Sequence, residues 1–254
     1  QEDVRYNPTV VESDRFDLDI YFENKPDENI VDRLSDLART LDFSLQEQEN
    51  KDWREEWKKD LAPFHLASGY WVVPTWCDTP KEAEKSIRID PGMAFGTGTH
   101  ETTRIMANLI TKHRPSEGTW EALDVGAGTG ILAMLMELEG ADRVVATEID
   151  KMACETGAEN IRRGEFQKIQ FHCTELSKID DHFDFVVANI IDGVLLDLSS
   201  DLKRVTKKGG LLLLSGILEE REKPFRKAFN LGEFELLDRT QLNEWVGLVY
   251  KKRV

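Results

Sequence analysis

Apolar and amphipathic segments alternate regularly along the chain from about Thr119 onward. Short apolar runs predict strands, and apolar residues at helical spacing predict helices between them. The predicted strands are Ala122–Val125, Val144–Thr147, Ile169–His172, Phe185–Ala188 and Leu211–Ser215, and the predicted helices are Ile131–Glu139, Met152–Arg163, Val194–Val205 and Glu219–Phe229. Alternating strands and helices predict an α/β fold with a parallel sheet and right-handed crossovers. Two final strands, Phe234–Asp238 and Trp245–Tyr250, have no helix between them, so an antiparallel hairpin should close the sheet.

The segment before this repeat has a different pattern. Residues 1–50 predict a small α+β domain, because a strand at Phe16–Phe22 precedes a helix at Asp27–Leu41 and a strand at Phe43–Gln46. Residues 51–65 are interpreted as a linker helix whose tryptophans dock on the protein or touch a partner. The main domain is then expected to span residues 66–254, with additional strands at Tyr70–Trp76 and Ser86–Ile89.

Charge and cysteine content limit the classes of partner. The 254 residues carry a formal net charge of −15, and residues 1–60 hold eighteen acids against nine bases. Binding to an exposed phosphate backbone is disfavoured, because such surfaces are basic. The charge either favours a basic partner through long-range attraction or serves only to keep the protein soluble. No apolar run approaches the ~18 residues of a membrane span. Three scattered cysteines without a CxxC pair indicate reduced thiols and a cytoplasmic protein, and the histidine spacing predicts no metal site.

A glycine turn marks the first candidate binding site. Gly126–Gly130 follows a strand and precedes a helix, and Glu148 ends the next strand, where it can accept hydrogen bonds from ribose hydroxyls. This arrangement predicts adenosine binding. The third glycine comes one residue earlier than in the dinucleotide motif GxGxxG, because position 131 is Ile. The spacing therefore favours S-adenosylmethionine, which has no pyrophosphate, over NAD.

A second glycine-rich loop, Asp90–Thr103, carries no formal charge between Pro91 and Thr99. We expect it to close over the methionine end of the cofactor. A helix starting near Glu101 would offer its N–H groups and the Thr103 hydroxyl to the carboxylate. Phe95 would contact the adenine or the methyl channel, or else anchor the loop. His100 is a possible base, although a structural role is favoured.

Asn189 directly follows the strand Phe185–Ala188 and is expected to face the same crevice as Gly126, because ligands of open α/β sheets bind beyond the carboxyl ends of strands. Its amide oxygen could accept a hydrogen bond from a substrate amine. The alternative is that Asn189 caps the helix that begins near Gly193.

The chain resembles the ribosomal protein L11 methyltransferase (PrmA) family, a family of class I S-adenosylmethionine-dependent methyltransferases, from about Lys51 to the C-terminus. The residues that carry the resemblance are Lys51-Asp52-Trp53 with Trp57, Asp90–Thr103, Leu123–Gly130, Ala188-Asn189-Ile190, Leu214–Leu218 and Glu244-Trp245-Val246. The resemblance implies a Rossmann-like methyltransferase sheet and cofactor contacts from Thr103, Gly126, Glu148 and Asn189. We assign Asn189, with the adjacent Ile190 carbonyl, to holding the substrate amine, and therefore expect it to be the catalytic residue.

The resemblance further implies the substrate, a basic ribosomal protein methylated on its N-terminal amine and on lysine side chains. The family's substrate-recruiting domain is usually a βαββαβ unit, and about fifty residues before Lys51 match the length of its latter half. Glu148 stands where the family often has Asp, and Ala127 stands where it often has Cys. We expect a monomer that needs no metal and binds neither nucleic acid nor membrane. The alternatives are a methyltransferase for RNA, another protein or a small-molecule amine, an NAD-dependent oxidoreductase, and a non-catalytic binding module.

Overall fold

The structure is a computed structural model that describes residues 61–90, 98–229 and 232–254, all within one structural unit. The predicted domain over residues 1–50, the predicted linker helix up to residue 60, and Phe95 lie outside the described residues. Residues 61–65, the described part of the predicted linker, contain no helix, and a strand begins there at Phe64.

A small sheet of three strands opens the described chain. Strand β1 (Phe64–Ala67) pairs antiparallel with β2 (Tyr70–Pro74), and β2 pairs parallel with β3 (Lys85–Ile89). Short apolar sequences allow Tyr70, Val72 and Ile87 to be fully buried here. The sheet packs into the same apolar cluster as the first helices of the main sheet.

The main sheet has seven strands in the order β6-β5-β4-β7-β8-β10-β9. Its strands are β4 (Glu121–Val125), β5 (Arg143–Glu148), β6 (Ile169–Cys173), β7 (Phe183–Asn189), β8 (Thr206–Leu218), β9 (Phe234–Leu242) and β10 (Trp245–Lys252). β4 to β8 are parallel, and β10 is antiparallel to both β8 and β9. The predicted α/β fold with a closing antiparallel hairpin is therefore confirmed.

Helices cover both faces of this sheet. They are α1 (Glu101–His113), α2 (Ile131–Leu138), α3 (Lys151–Arg163), α4 (Asp192–Asp197), α5 (Ser199–Val205) and α6 (Glu219–Phe229). Residues of α1, α2 and α3 share one apolar cluster with β1–β3, and residues of α4, α5 and α6 share the other. The central strands β4 and β7 are buried on both faces, as near-continuous apolar parallel strands should be. The carboxyl ends of β5, β4 and β7 therefore meet at one edge of the sheet.

Two local differences from the sequence prediction have clear causes. The predicted helix Val194–Val205 is two helices joined at Leu198, just before Ser199 and Ser200. Serine favours helix starts over helix interiors, because its hydroxyl competes for backbone hydrogen bonds. Strand β1 was not predicted, since four residues give too short a pattern. Within the described residues, no helix is both long enough and apolar enough to cross a membrane.

Candidate active site

The glycine turn after β4 is fastened to the end of β5 by consecutive backbone hydrogen bonds. Gly126 N and Ala127 N donate to the Thr147 carbonyl at 2.8 and 3.0 Å. Gly126, Gly128 and Gly130 have φ values of 68°, 53° and 81°, a left-handed conformation that other residues adopt at a cost. The sequence therefore needs glycine here to turn sharply from β4 into α2.

Glu148 lies beside this turn at the end of β5 and is half-buried. One carboxylate oxygen accepts from Gly128 N at 3.0 Å, and the other accepts from Ile149 N at 2.7 Å and Asp150 N at 3.0 Å. A carboxylate offers about four acceptor positions, so these three donors fix its orientation and leave room for a further donor. The carboxylate is therefore held at the predicted adenosine side of the turn.

Asp124 is a buried acid beneath the turn that the sequence analysis did not single out. Its side chain is 1% exposed and accepts a hydrogen bond from Ala133 N, in the first turn of α2. The cap residue of that helix, Gly130, has no side chain to do this. Burial, assisted by the nearby charge of Glu148, raises the pKa of Asp124 to about 7, although the Ala133 hydrogen bond acts in the opposite direction. The sequence pattern did not indicate a role for Asp124, because the strand that contains it is otherwise apolar.

Asn189 ends β7, one strand away from the turn. Its neighbour Ala188 is in register with Val125, which directly precedes Gly126. Asn189 is half-buried, and its side chain forms no hydrogen bond with any described residue. The cap residue of α4 is Ile191. The alternative that Asn189 caps this helix is therefore wrong.

The chain beyond Asn189 is packed tightly between two glycines. A Cβ on Gly126 would lie 2.8 Å from Ile190 Cδ1, and a Cβ on Gly216 would overlap the Ile190 carbonyl oxygen. Ile190 N donates to Ser215 O at 3.2 Å, and Asp192, 4% exposed, forms a 2.7 Å ion pair with Arg221 of α6. The backbone that carries Asn189 is therefore held in one position from both sides.

Thr103 lies in the first turn of α1 and is 1% exposed. Its hydroxyl and Asp124 Oδ2 are the buried side-chain atoms of the described residues that have no hydrogen-bond partner. A buried polar atom without a partner is costly, so a ligand that supplies one would stabilise the protein. α1 packs against α2, which directly follows the glycine turn.

His100 caps α1 from the preceding position. Its Nδ1 accepts from Thr102 N at 3.3 Å, and its ring contacts Trp245 with centroids 5.1 Å apart. Thr103 N and Arg104 N both donate to the His100 carbonyl. The favoured structural role of His100 is thus observed. These N–H groups are engaged within the helix, which leaves the Thr103 hydroxyl as the available donor of the first turn.

Exposed apolar side chains flank the same sheet edge. Ile149 is 72% exposed and Met152 53% exposed beside Glu148, while Ile191 is 51% exposed beside Asn189. Large apolar side chains at such exposure usually mark a ligand or partner surface when they cluster. No sequence pattern marks Ile149 and Ile191, because a single apolar residue in a loop has no periodicity, and Met152 looks like an ordinary residue of its predicted helix.

Two of the three cysteines correct a sequence expectation. Cys154, in the first turn of α3, and Cys173, at the end of β6, form a disulfide with Cα atoms 5.6 Å apart, and Cys77 is free. The expectation of reduced thiols throughout was wrong for this pair. The two residues are nineteen apart in sequence and become neighbours because β5 and β6 pair with Glu148 opposite Cys173.

The structure thus brings Gly126, Glu148 and Asn189 together at the ends of three adjacent strands, as the sequence predicted. It places Thr103 in a helix that packs against the helix after the turn. The arrangement combines a rigid glycine turn, an oriented carboxylate, a side-chain amide without a partner and apolar borders. Such a site can hold a nucleoside and present its other end to an amine.

Comparisons with known proteins agree with this geometry. A family model described as "Ribosomal protein L11 methyltransferase (PrmA)" matches residues 2–253. A ribosomal protein L11 methyltransferase of Caldicellulosiruptor bescii is 38% identical over 233 residues, covering 89% of this chain and 75% of that relative. One from Ruminiclostridium cellulolyticum is 39% identical over 226 residues, covering 87% of this chain and 71% of that relative.

Solved structures give the same result for the fold. The crystal structure of a ribosomal protein L11 methylase from Lactobacillus delbrueckii subsp. bulgaricus has a TM-score of 0.69 and 30% identity, and the match covers 76% of this chain and all of that one. The [4+2]-cyclase SpnF matches with a TM-score of 0.52 at 16% identity, over 60% of this chain and 81% of that one. The second likeness shows the fold alone, because one fold can support unrelated reactions.

Proposed function

The chain belongs to the ribosomal protein L11 methyltransferase family, and we propose that it transfers methyl groups from S-adenosylmethionine to amines of that ribosomal protein. The acceptors are the N-terminal amine and lysine side chains. The observation that carries this proposal is the meeting of Gly126, Glu148 and Asn189 at three adjacent strand ends, in a chain whose family match runs over residues 2–253. The family match does not favour an NAD-dependent oxidoreductase.

The residues present fit S-adenosylmethionine. Glu148 would accept hydrogen bonds from the ribose, since its carboxylate is oriented by three backbone donors and retains acceptor capacity. Gly126 would contact the ligand through its backbone, because the space at its Cβ position is filled by Ile190. Thr103 would donate its partnerless buried hydroxyl to the methionine end. Ile149 would cover one face of the adenine, because its apolar side chain is exposed next to Glu148.

S-adenosylmethionine supplies a methyl group on a positive sulfur, and a neutral amine displaces that sulfur in line. A free lysine has a pKa of ~10.4, so most of it is protonated at neutral pH. An apolar border beside a cationic ligand lowers that pKa. Asn189 and the Ile190 carbonyl would accept the N–H groups of the amine and thereby direct its lone pair at the methyl group. Alignment of this kind is worth effective molarities of about 10⁵ M or more.

Net charge supports a basic protein as substrate. The chain carries −15 overall, and long-range attraction raises the rate at which a cationic partner arrives. We place the reaction in the cytoplasm because the proposed substrate is a ribosomal protein, and the cysteines do not support this placement, since Cys154 and Cys173 are paired. The enzyme would act as a monomer and contact the ribosomal protein rather than RNA. The acidic segment before residue 60 would take part in receiving this partner.

Intact-mass analysis of purified large-subunit ribosomal proteins, incubated with the enzyme and S-adenosylmethionine, tests the function. We expect one protein, L11, to gain mass in steps of one methylene. The same incubation with a mixture of small amines is the control for a small-molecule methyltransferase. Gain on another protein, or only on small amines, would replace the proposed substrate, and no gain on any acceptor would overturn the proposal.

A further inference from the structure

Asn160 is a buried polar residue whose side-chain bonds all leave its own helix. It lies in α3 and is 1% exposed. Its Oδ1 accepts from Asp90 N at 2.8 Å, and its Nδ2 donates to Asp90 O at 3.0 Å and to Thr129 O at 3.2 Å. Burying an amide is costly unless it is hydrogen-bonded, and asparagine is a mediocre helix former. The stability of α3 alone therefore does not explain why an asparagine stands at this position.

The two partners of Asn160 belong to the two glycine-rich loops. Asp90 begins the Asp90–Thr103 segment, and Thr129 lies inside the turn after β4, 31 residues from Asn160. The other described end of the first segment lies beside the helix that follows this turn. A Cβ on Gly98 would lie 2.8 Å from Cδ1 of Ile131, the first residue of α2, and 2.9 Å from Phe64 Cζ. The Asp90 end is therefore bonded to the turn through Asn160, and the Gly98 end packs beside the start of α2.

Two neighbours on α3 show that this face of the helix is built for the contact. Gly157, one turn before Asn160, lets the helix approach the turn, because a Cβ there would lie 2.5 Å from Gly128 O. Arg163, one turn after, holds the Asp90 carboxylate at 3.5 Å. That pair is largely exposed and contributes little. Asn160 carries the buried part of the connection.

We propose that Asn160 is a positioning residue of the S-adenosylmethionine site, which ties Asp90 to the glycine turn and thereby sets the affinity for the cofactor. This inference rests on the proposed function. Without the amide, Asp90 N, Asp90 O and Thr129 O lose a buried partner, and the glycine turn is no longer held to Asp90 and α3 by these bonds. In most molecules the site is then formed only on binding. The apparent affinity for the cofactor therefore falls in proportion to the fraction of free molecules in which the site is already formed. The bound state is unchanged, and turnover at saturating cofactor is kept.

The test compares N160A with N108A, because Asn108 is an exposed helix asparagine whose amide bonds only its own helix, at Arg104 O. Calorimetry with S-adenosylhomocysteine, kinetics with L11, and thermal unfolding are measured for each. We expect N160A to raise the Kd and the KM for S-adenosylmethionine about tenfold or more, with kcat within about threefold of the wild type. N108A should match the wild type in Kd, KM and kcat.

The outcomes are distinguishable. A folded N160A with a lowered Tm but unchanged Kd would show a merely structural role and overturn the inference, as would a loss of kcat at unchanged KM. If N160A does not fold, N160S, which keeps one donor, carries the same expectation at smaller amplitude. A wild type that binds no S-adenosylhomocysteine would sink the proposed function itself, before any variant is compared.

Discussion

Asn189 is the residue whose chemistry is least explained by the fold. It ends a buried strand, forms no hydrogen bond through its side chain with a described residue and does not cap the helix that follows. Its backbone is nevertheless fixed, because Ile190 N is bonded to Ser215 O and the next turn is pinned by the Asp192–Arg221 pair. A fixed backbone that carries a partnerless amide is typical of a residue that acts on a ligand.

We predict that N189A cuts kcat about 100-fold or more, since misalignment of the reacting atoms by about 1 Å has an effect of that size. Cofactor affinity should stay within about tenfold of the wild type, because the turn and Glu148 are untouched. Single-turnover kinetics with L11 and calorimetry with S-adenosylhomocysteine measure the two effects separately. Equal turnover in the variant and the wild type would remove Asn189 from the reaction.

The raised pKa of Asp124 makes the stability of the protein depend on pH. Burial raises its pKa to about 7 in the folded protein, whereas an unfolded aspartate titrates near 3.8. Between these values the folded state binds more protons than the unfolded state. Stability from this group is therefore full below about pH 4 and is lost as pH rises through 7, by about 4 kcal/mol at most.

D124N removes this dependence while keeping the shape of the side chain and an oxygen for Ala133 N. We expect the free energy of unfolding of D124N, relative to the wild type, to increase between about pH 4 and 7 and then to level off. Urea unfolding at several pH values, without cofactor, measures the difference, in which titrating groups that do not interact with Asp124 cancel. A difference that stays constant over this range would mean that Asp124 remains ionised in the folded protein.

At the scale of elements, the approach of β8 to the Asn189 loop depends on one glycine. Gly216 has a φ of 87°, and a Cβ there would overlap the Ile190 carbonyl oxygen. Gly209, on the same strand, has a φ of 77°, and a Cβ there would meet nothing within 4 Å. Both glycines have the left-handed backbone conformation, but only Gly216 lies against Ile190.

Substituting each by alanine separates these two effects. Both G209A and G216A should lose about 1 to 2 kcal/mol of stability from the left-handed conformation. Only G216A should also lose turnover, about tenfold or more, because the Ile190 carbonyl must move. Urea unfolding and kcat measured side by side give the comparison. Equal kcat in the two variants would show that the position of this carbonyl is unimportant.

The elements that sequence predicted well are those whose signals are local. Gly126–Gly130 between a strand and a helix specifies its own conformation, and Glu148 and Asn189 follow directly from the ends of apolar strands. The contacts that sequence did not reveal are non-local. Asn160 finds Asp90 seventy residues away, and the Cys154–Cys173 pair forms only after β5 and β6 are in register. No pattern in either helix or strand identifies such partners in advance.

At the scale of the whole molecule, charge is distributed unevenly along the sequence. Residues 201–254 hold twelve bases and eight acids, a net charge of +4, so the first 200 residues carry −19. We expect a basic substrate to be attracted by this acidic N-terminal part of the chain rather than by residues 201–254. Long-range attraction raises the association rate, and salt screens it beyond a Debye length of about 10 Å at 0.1 M.

We therefore predict that kcat/KM for L11 falls about tenfold between about 50 and 500 mM salt, because steering of a cationic partner is lost as charges are screened. The Kd of S-adenosylhomocysteine, which has no net charge, should change by less than about twofold over the same range and is the control for the folded site. Stopped-flow association and steady-state kinetics provide the first quantity and calorimetry the second. A kcat/KM that is insensitive to salt while L11 is methylated would mean that short-range contacts, not the acidic N-terminal part, govern capture of the substrate.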